Sequence, residues 1–195
     1  MVASFGLGAQ EMINWYTWEE GMSKAQDEQK KFVIDMYTDW CGWCKRMDKQ
    51  TFQNDNIATY VNENFIAIKF NAEQKGEITY MENVYKFVKG GKRGYHELAA
   101  QLTGGKLSYP TVIFLDENME VIQALPGFLD APTFDPILKY FAQDRHKNTP
   151  WAVFLRNYKE EQGSVVPKPS KTNNHTRLVK GNPVSYTHLT LPTKA

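Results

Sequence analysis

Residues 32–45 read Phe-Val-Ile-Asp-Met-Tyr-Thr-Asp-Trp-Cys-Gly-Trp-Cys-Lys and contain the only two cysteines of the 195-residue chain. A short apolar run, followed by a polar turn and a cationic segment, predicts a buried strand that leads into a helix. Cys41 then lies at the strand-to-helix corner, where free backbone N–H groups and the helix dipole stabilise a thiolate. Cys44 follows one helical turn later, so it can close a disulfide with Cys41, and we expect it to lie deeper.

Two other interpretations of the cysteine pair have to be weighed. A closed zinc site needs four ligands, but no second cysteine pair exists. Inert core cysteines are the other alternative, although a Gly-Trp pair between two cysteines is not typical of core packing. The pattern therefore favours a redox pair with no metal and no other cofactor. The histidines show no metal-ligand spacing and are His96, His146, His175 and His188.

From about Lys31 to Phe141 the chain resembles the thioredoxin superfamily, specifically thioredoxin-like proteins with a Trp-Cys-Gly-x-Cys-Lys active site. The resemblance implies an α/β thioredoxin-like fold, with a central mixed sheet and helices on both faces. It also implies that the first core strand leads into the redox corner. The expected fold is thus a single domain, residues 11–162, with a helical insertion at about residues 74–106 before the cis-proline loop.

The resemblance assigns roles to two charged residues. Asp35, six residues before Cys41, falls where thioredoxins carry a buried aspartate that exchanges the proton of the resolving cysteine. Lys69, in the apolar strand 65–70, falls where they carry its lysine neighbour. A carboxylate flanked by apolar strand residues is costly to bury ionised, which by itself raises its pKa and favours proton transfer. The alternatives are that Asp35 reaches solvent at the strand end and that Lys69 extends its ammonium group to water.

A second set of residues matches the substrate groove of the family. Pro110 falls at the position of the family's cis-proline, although a proline opening a strand is more often only a boundary marker. Trp40 and Trp43 are expected to form an apolar rim, and Trp43 stands where thioredoxins themselves carry proline. Because the residues between the cysteines tune the reduction potential, the direction of electron flow stays open. The remaining predicted groove residues are Gly42, Tyr109, Thr111 and Gly127.

These features predict a protein thiol–disulfide oxidoreductase that reduces disulfides of protein substrates through a Cys41–Cys44 dithiol/disulfide cycle. Its expected partners are disulfide-bearing or dithiol proteins and a separate electron-donor reductase, and we expect a monomer. The first alternative is a disulfide oxidase or isomerase. The second is a binding or chaperone-like module that uses the groove without redox turnover.

Helical spacing in the insertion predicts a first helix across residues 78–88 and a second helix over residues 95–102 that ends at Gly104. The cations Lys89, Lys92 and Arg93 between them are expected to be solvated, and the insertion to form a lid or rim beside the active site.

Outside the insertion, spacing predicts a helix within residues 15–31, a helix capped by Asn54, and a hairpin over residues 109–125. Two further helices are expected, one capped by Thr133 with Pro136 in its first turn and one starting at Thr149-Pro150.

The net charge of +1 removes any strong electrostatic argument for nucleic acid or an anionic membrane, and no run approaches a membrane span. Residues 1–10 resemble a signal-peptide remnant, which suggests a periplasmic or secreted protein with the cytoplasm as the alternative. Residues 163–183 have the composition of a disordered tail, and residues 184–195 resemble a translated sequencing adapter.

Overall fold

The computed structural model describes residues 12–90 and 93–163, which contain a five-stranded sheet, two small two-stranded sheets and six α-helices. The strands are β1 (Trp15–Tyr16), β2 (Lys31–Tyr37), β3 (Phe65–Asn71), β4 (Ile78–Tyr80), β5 (Asn83–Tyr85), β6 (Phe87–Val88), β7 (Tyr95–His96), β8 (Thr111–Leu115) and β9 (Val121–Pro126). The helices are α1 (Trp18–Asp27), α2 (Gly42–Met47), α3 (Asp55–Asn64), α4 (Glu97–Thr103), α5 (Ala131–Ala142) and α6 (Trp151–Glu161).

The main sheet has the order β1-β3-β2-β8-β9. Strands β1, β3 and β2 are parallel to one another, whereas β8 pairs antiparallel with both β2 and β9. The sheet is therefore mixed. Strand β2, which leads to the cysteines, lies at its centre and is buried on both faces. This is the thioredoxin-like α/β architecture that the sequence predicted.

Alternation along β2 divides its side chains between two apolar cores, because successive strand residues point to opposite faces. Phe32, Ile34 and Met36 pack with α1 and α4 on one face, whereas Val33 packs with α2, α3 and α5 on the other. Helix α6, predicted to start at Thr149-Pro150, begins at Trp151 and covers the second core through Trp151 and Phe154. Asp35 shares the face of Val33 and therefore faces the layer that contains the active-site helix.

The helix predicted within residues 15–31 begins later than expected. Trp15 and Tyr16 form the edge strand β1, and α1 starts only at Trp18. The cause is a capping box, in which Thr17 accepts a hydrogen bond from the Glu20 backbone and the Glu20 carboxylate accepts one from the Thr17 N–H.

The first helix predicted in the insertion is wrong. Residues 78–85 form a β-hairpin in which Ile78 and Tyr80 are buried and the intervening Thr79 is exposed, a period of two rather than 3.6. The turn is made by Met81 and Glu82, both at positive φ, in place of the glycine or asparagine that usually marks such turns. The second prediction is closer: α4 spans Glu97–Thr103 and ends at Gly104, whose φ of 61° is left-handed.

Two details of α5 also differ from the prediction. The cap is Asp130, whose carboxylate accepts a hydrogen bond from the Thr133 N–H at 3.0 Å, so Thr133 is the capped residue and not the cap. Pro136 accordingly lies in the second turn of the helix. By contrast, Asn54 caps α3 as predicted, accepting hydrogen bonds from the backbone of Asn56 and Ile57.

Candidate active site

The two cysteines lie at the corner between β2 and α2. Cys41 is the N-cap of α2, and the Cys44 N–H donates to the Cys41 Sγ at 3.0 Å. The Cys41 N–H donates in turn to the carbonyl of Thr38 at 3.1 Å, which fixes the turn between strand and helix. The cysteines are joined by a disulfide, with 5.3 Å between their Cα atoms.

The expected difference in depth between the cysteines is not present in this disulfide form. Cys41 is 4% exposed and Cys44 is 3% exposed, because the bond ties both side chains to the buried side of the corner. The neighbouring tryptophans are the exposed groups of the corner, Trp40 at 49% and Trp43 at 55%. The two indole rings are therefore more accessible from solvent than either sulfur atom. Gly42 is the first residue of α2 and is exposed, with open space where a Cβ would stand.

Asp35 and Lys69 are neighbours because β2 and β3 pair in parallel with these two residues in register. The Lys69 Nζ lies 2.7 Å from Asp35 Oδ2. Asp35 is 1% exposed, and neither of its oxygens accepts a well-directed hydrogen bond from the described part of the chain. The alternative that Asp35 reaches solvent is thereby excluded.

Burial controls the protonation of Asp35. Loss of solvation raises the pKa of its carboxyl from 3.8 to about 6, and the nearby Lys69 ammonium only partly opposes that rise. Asp48 adds to it, because a second negative charge disfavours ionisation of the first. Asp35 can therefore both accept and release a proton close to neutral pH.

Lys69 is held by two residues that the sequence analysis did not identify. Its ammonium group contacts the Asp48 carboxylate as well as that of Asp35, and it lies 4.9 Å from the centre of the Trp15 ring. Asp48 follows Cys44 by four residues, so its position on the same helical face was a usable signal. The contact with Trp15 depends on the pairing of β1 with β3 and had no local signal.

The loop before β8 lies as the family pattern implied. The Tyr109–Pro110 peptide bond is cis, and the Gly127 N–H donates to the Pro110 carbonyl at 2.8 Å. Gly127 has a φ of 98°, which favours glycine at this turn. Thr111 is 1% exposed, and its hydroxyl donates to the Ser108 carbonyl at 2.8 Å, so its side chain braces the loop.

The Trp40 side chain contacts three residues from other parts of the chain. Its indole N–H donates to the Glu73 carboxylate at 3.0 Å, and its ring meets the edge of Tyr109 at a centroid distance of 5.9 Å. The Arg93 guanidinium lies over the same ring, at 4.4 Å from its centre. Arg93 was predicted to be solvated; it is exposed, but it also contacts this tryptophan. Of the other two predicted cations, Lys89 is exposed and Lys92 lies outside the described residues.

Trp43 has a matching set of contacts on the other flank. Its ring lies 5.7 Å from that of Phe128, and the Arg46 guanidinium lies 5.1 Å from the centre of the Trp43 ring. Neither Phe128 nor Arg46 was among the predicted site residues. Trp40 and Trp43 are thus both exposed beside the disulfide, and each lies under an arginine that the sequence did not reveal.

The described residues also bear on metal sites and membrane spans. Within residues 12–90 and 93–163, no cluster of three or more histidine, cysteine, aspartate or glutamate side chains could hold a metal ion. In the same ranges no helix is long and apolar enough to cross a membrane. The predicted leader at residues 1–10 and almost all of the predicted tail lie outside the description, so those assignments stay predictions.

Comparison with known proteins gives a family match across most of the described chain. Residues 6–131 match the family Thioredox_DsbH, whose description reads "Protein of unknown function, DUF255". Over 82 residues the chain is 33% identical to spermatogenesis-associated protein 20 of Mus musculus, a match that covers 40% of this chain and 10% of that protein. Over 136 residues it is 24% identical to the thiol:disulfide interchange protein DsbD of Photorhabdus laumondii, covering 69% of this chain and 20% of that protein.

One similar solved structure is titled "DsbH Oxidoreductase". It has a TM-score of 0.49 and 15% identity, with 68% of this chain and 85% of that chain covered. The chain thus corresponds to a small part of the larger curated relatives, a tenth of the mouse protein and a fifth of DsbD.

Proposed function

The chain belongs to the Thioredox_DsbH family, and for this member we propose a protein thiol–disulfide oxidoreductase that reduces disulfides of protein substrates. One observation carries the proposal: a Cys41–Cys44 disulfide at the start of α2, on the sheet face to which the buried Asp35 also points. The specific roles of the site residues and the direction of electron flow are part of this proposal.

The cycle starts from the reduced protein. The Cys41 thiolate attacks one sulfur of the substrate disulfide, so a mixed disulfide forms and the first substrate thiolate leaves. Cys44 then loses its proton to Asp35 and attacks the Cys41 sulfur, which releases the second substrate thiolate. Two electrons pass to the substrate, which becomes a dithiol, and the Cys41–Cys44 pair becomes the disulfide seen here. A separate dithiol reductase must return the pair to the reduced form.

Asp35 is suited to the proton-transfer step because its neutral and ionised forms are close in free energy near neutral pH. A fully solvated aspartate, with a pKa near 3.8, would be a poor base for a thiol. Burial supplies the required upward shift, and Lys69 keeps the ionised form accessible.

The groove residues are assigned to substrate binding in the same proposal. The loop at the cis Pro110 is assigned to contact with an extended substrate segment, while Trp40 and Trp43 provide exposed apolar surface beside the disulfide. Tyr109 contributes through its ring contact with Trp40, and Gly127 through its hydrogen bond to the loop. Thr111 acts on the substrate only indirectly, by bracing the loop.

The proposal is tested by the equilibrium reduction potential of the Cys41–Cys44 pair. The oxidised protein is equilibrated in glutathione buffers and free thiols are trapped and counted. A reductase is expected to give a value near about −270 mV. A value at or above about −180 mV would reverse the direction and indicate an oxidase or isomerase. Failure to form the intramolecular disulfide would contradict the oxidoreductase assignment itself.

A further inference from the structure

Each cysteine of the disulfide adjoins an exposed tryptophan, and each of these tryptophans is covered by an arginine from a different part of the chain. Arg46 of α2 lies over Trp43, at 5.1 Å from the ring centre. Arg93 of the insertion lies over Trp40, at 4.4 Å. A guanidinium stacked on an aromatic ring is held in a fixed orientation while the N–H donors in its plane stay available.

Those donors are largely unused within the described chain. The Arg46 Nε donates to the Gln50 side chain at 2.9 Å, and its two terminal nitrogens have no hydrogen-bond acceptor within residues 12–90 and 93–163. Neither Arg46 nor Arg93 forms a salt bridge within residues 12–90 and 93–163, although nine other ion-pair contacts occur there. Both arginines therefore lie over an aromatic ring, are exposed, and have no carboxylate partner among the residues that the structure describes.

The acidic residues near the disulfide are already engaged. Glu73 accepts the indole N–H of Trp40, Asp39 accepts a hydrogen bond from Asn71, and Asp48 pairs with Lys69. The exposed surface of the active-site helix adds further positive charge through Lys45. The neutral donors leave the negative charges of Glu73 and Asp39 in place, but three exposed cations outnumber these two carboxylates. The three cations are Lys45, Arg46 and Arg93. A surface with surplus positive charge is complementary to a partner that supplies carboxylates.

We propose that Arg46 and Arg93 select protein substrates in which acidic side chains flank the reactive disulfide on both sides. Each guanidinium can hold one substrate carboxylate through paired hydrogen bonds, which is the geometry that arginine favours over lysine. The two contacts would set the substrate across the disulfide with one acidic residue at each tryptophan. This inference rests on the proposed function, because it names the substrates of the same site.

The alternative is that each arginine only shields a tryptophan ring from water. Shielding requires no ligand, so it predicts that rates do not depend on the charge of the residues beside the substrate disulfide. The two possibilities therefore separate in a kinetic experiment on substrates that differ in those residues alone.

The test uses three short peptides, each with one intramolecular disulfide and with Asp, Asn or Lys at both flanking positions. Pre-reduced full-length protein, freed of reductant, is mixed with each peptide, and the rate constant of the single turnover is measured by acid quench and thiol trapping. Each rate is divided by the rate of the same peptide with dithiothreitol, which corrects for the intrinsic reactivity of the peptide disulfide. The variants are R46Q, R93Q and the double variant, with K49Q as the control of equal charge change.

The wild-type protein is expected to prefer the Asp peptide over the Asn peptide by about fivefold to tenfold at low salt. Each single arginine variant should lose part of this preference, the double variant should lose nearly all of it, and K49Q should retain it. R93K should recover less than half of the loss, because lysine keeps the charge but not the paired donors. Added salt should weaken the wild-type preference.

Equal corrected rates for the Asp and Asn peptides would overturn the inference while the proposed function stands. The same follows if K49Q reduces the preference as much as the arginine variants do, since general positive charge would then explain it. If the protein transfers electrons to none of the three peptides, the proposed function fails and this inference fails with it.

Discussion

Strand β2 contributes one buried charge to each of two ionic clusters, and burial shifts the protonation of these two charges in different ways. At its start, Lys31 is 5% exposed and its ammonium lies 2.7 Å from Glu117 and 3.1 Å from Asp144. Further along, Asp35 is buried and shares Lys69 with Asp48. In the first cluster the buried Lys31 has two carboxylate partners. In the second cluster the buried Asp35 has one ammonium partner, Lys69, which also pairs with Asp48.

In the Lys31 cluster the ionised forms are favoured throughout. Burial lowers the pKa of Lys31, but the hydrogen bonds and charges of Glu117 and Asp144 together raise it above its ordinary value. Burial raises the pKa of each carboxyl, yet pairing with Lys31, and with Lys147 in the case of Asp144, brings both below their ordinary values. This cluster is therefore an ion-pair network that links β2 to the segments containing Glu117 and Asp144.

In the Asp35 cluster the effect of desolvation on the pKa of Asp35 is larger than the opposing effect of Lys69. One shared ammonium does not offset the burial of the carboxylate, and the pKa of Asp35 rises to about 6. The two clusters differ in the number of partners committed to the buried charge, because Lys31 has two carboxylates whereas Asp35 has one ammonium that it shares with Asp48. A buried charge with surplus partners stabilises the fold, whereas one with too few partners keeps a proton within reach of neutral pH.

The largest effect is expected for the kinetics of D35N. Asparagine keeps the shape of the side chain but cannot take the Cys44 proton, so resolution of the mixed disulfide at pH 7 should slow by about a hundredfold to a thousandfold. Stopped-flow release of the second substrate thiol measures this step. D144N is the matched control from the other cluster and should resolve the mixed disulfide at the wild-type rate. An unchanged rate in D35N would remove Asp35 from the mechanism.

The same substitution should stabilise the oxidised protein. The folded pKa of Asp35, about 6, lies above its ordinary 3.8, so the folded state binds a proton that the unfolded chain has released. Stability is therefore lost as pH rises from about 4 to about 6, by up to about 3 kcal/mol. Urea unfolding should find D35N more stable than wild type at pH 7 and equal to it at pH 4. A destabilised D35N at pH 7 would contradict the desolvation argument.

Breaking the other cluster should lower stability with little effect on catalysis. K31M leaves Glu117 and Asp144 partly exposed and able to reach water, so we expect a loss of about 1 kcal/mol at pH 7. The ion-pair network depends on the ionised carboxylates of Glu117 and Asp144, whose pKa values are lowered in the folded protein. Its contribution to the free energy of unfolding is therefore present above the pKa values of the unfolded chain and is lost as pH falls through those of the folded protein. Urea unfolding as a function of pH checks both points. A stability gain in K31M at pH 7 would show that burial of this cation is not offset.

The smallest change is expected for D48N. Removal of the Asp48 charge leaves Lys69 committed to Asp35 alone, and both effects lower the pKa of Asp35. The acidic limb of the rate profile for mixed-disulfide resolution should therefore move to lower pH. A shift to higher pH would mean that Asp48 supports the ionised form of Asp35, opposite to this account.

Sequence patterns and the family resemblance predicted the cysteines and the Asp35–Lys69 pair, but not the contacts of Lys69 with Asp48 and Trp15. Cys41, Asp35 and Pro110 each have a local or family signal, and the parallel register then brings Lys69 to Asp35. The hairpin at residues 78–85 was mistaken for a helix because its turn uses Met81 and Glu82, which carry no turn signal.

The arginine stacks were not predictable for a different physical reason. Arg93 reaches Trp40 from 53 positions away in the chain, and no spacing rule encodes such a contact. Arg46 is near Trp43 in sequence, but spacing alone does not tell a stacked arginine from a solvated one.

The central claim, that Asp35 holds a proton close to neutral pH while the carboxylates of the other cluster do not, is tested most directly by NMR titration of side-chain carboxyl carbons. In the oxidised protein, the Asp35 signal, identified by its absence in D35N, should titrate with a pKa of about 6. The Asp144 signal, identified with D144N, should titrate below its ordinary value. If both signals titrate below their ordinary values, the two clusters are alike and Asp35 is not the proton carrier of this site.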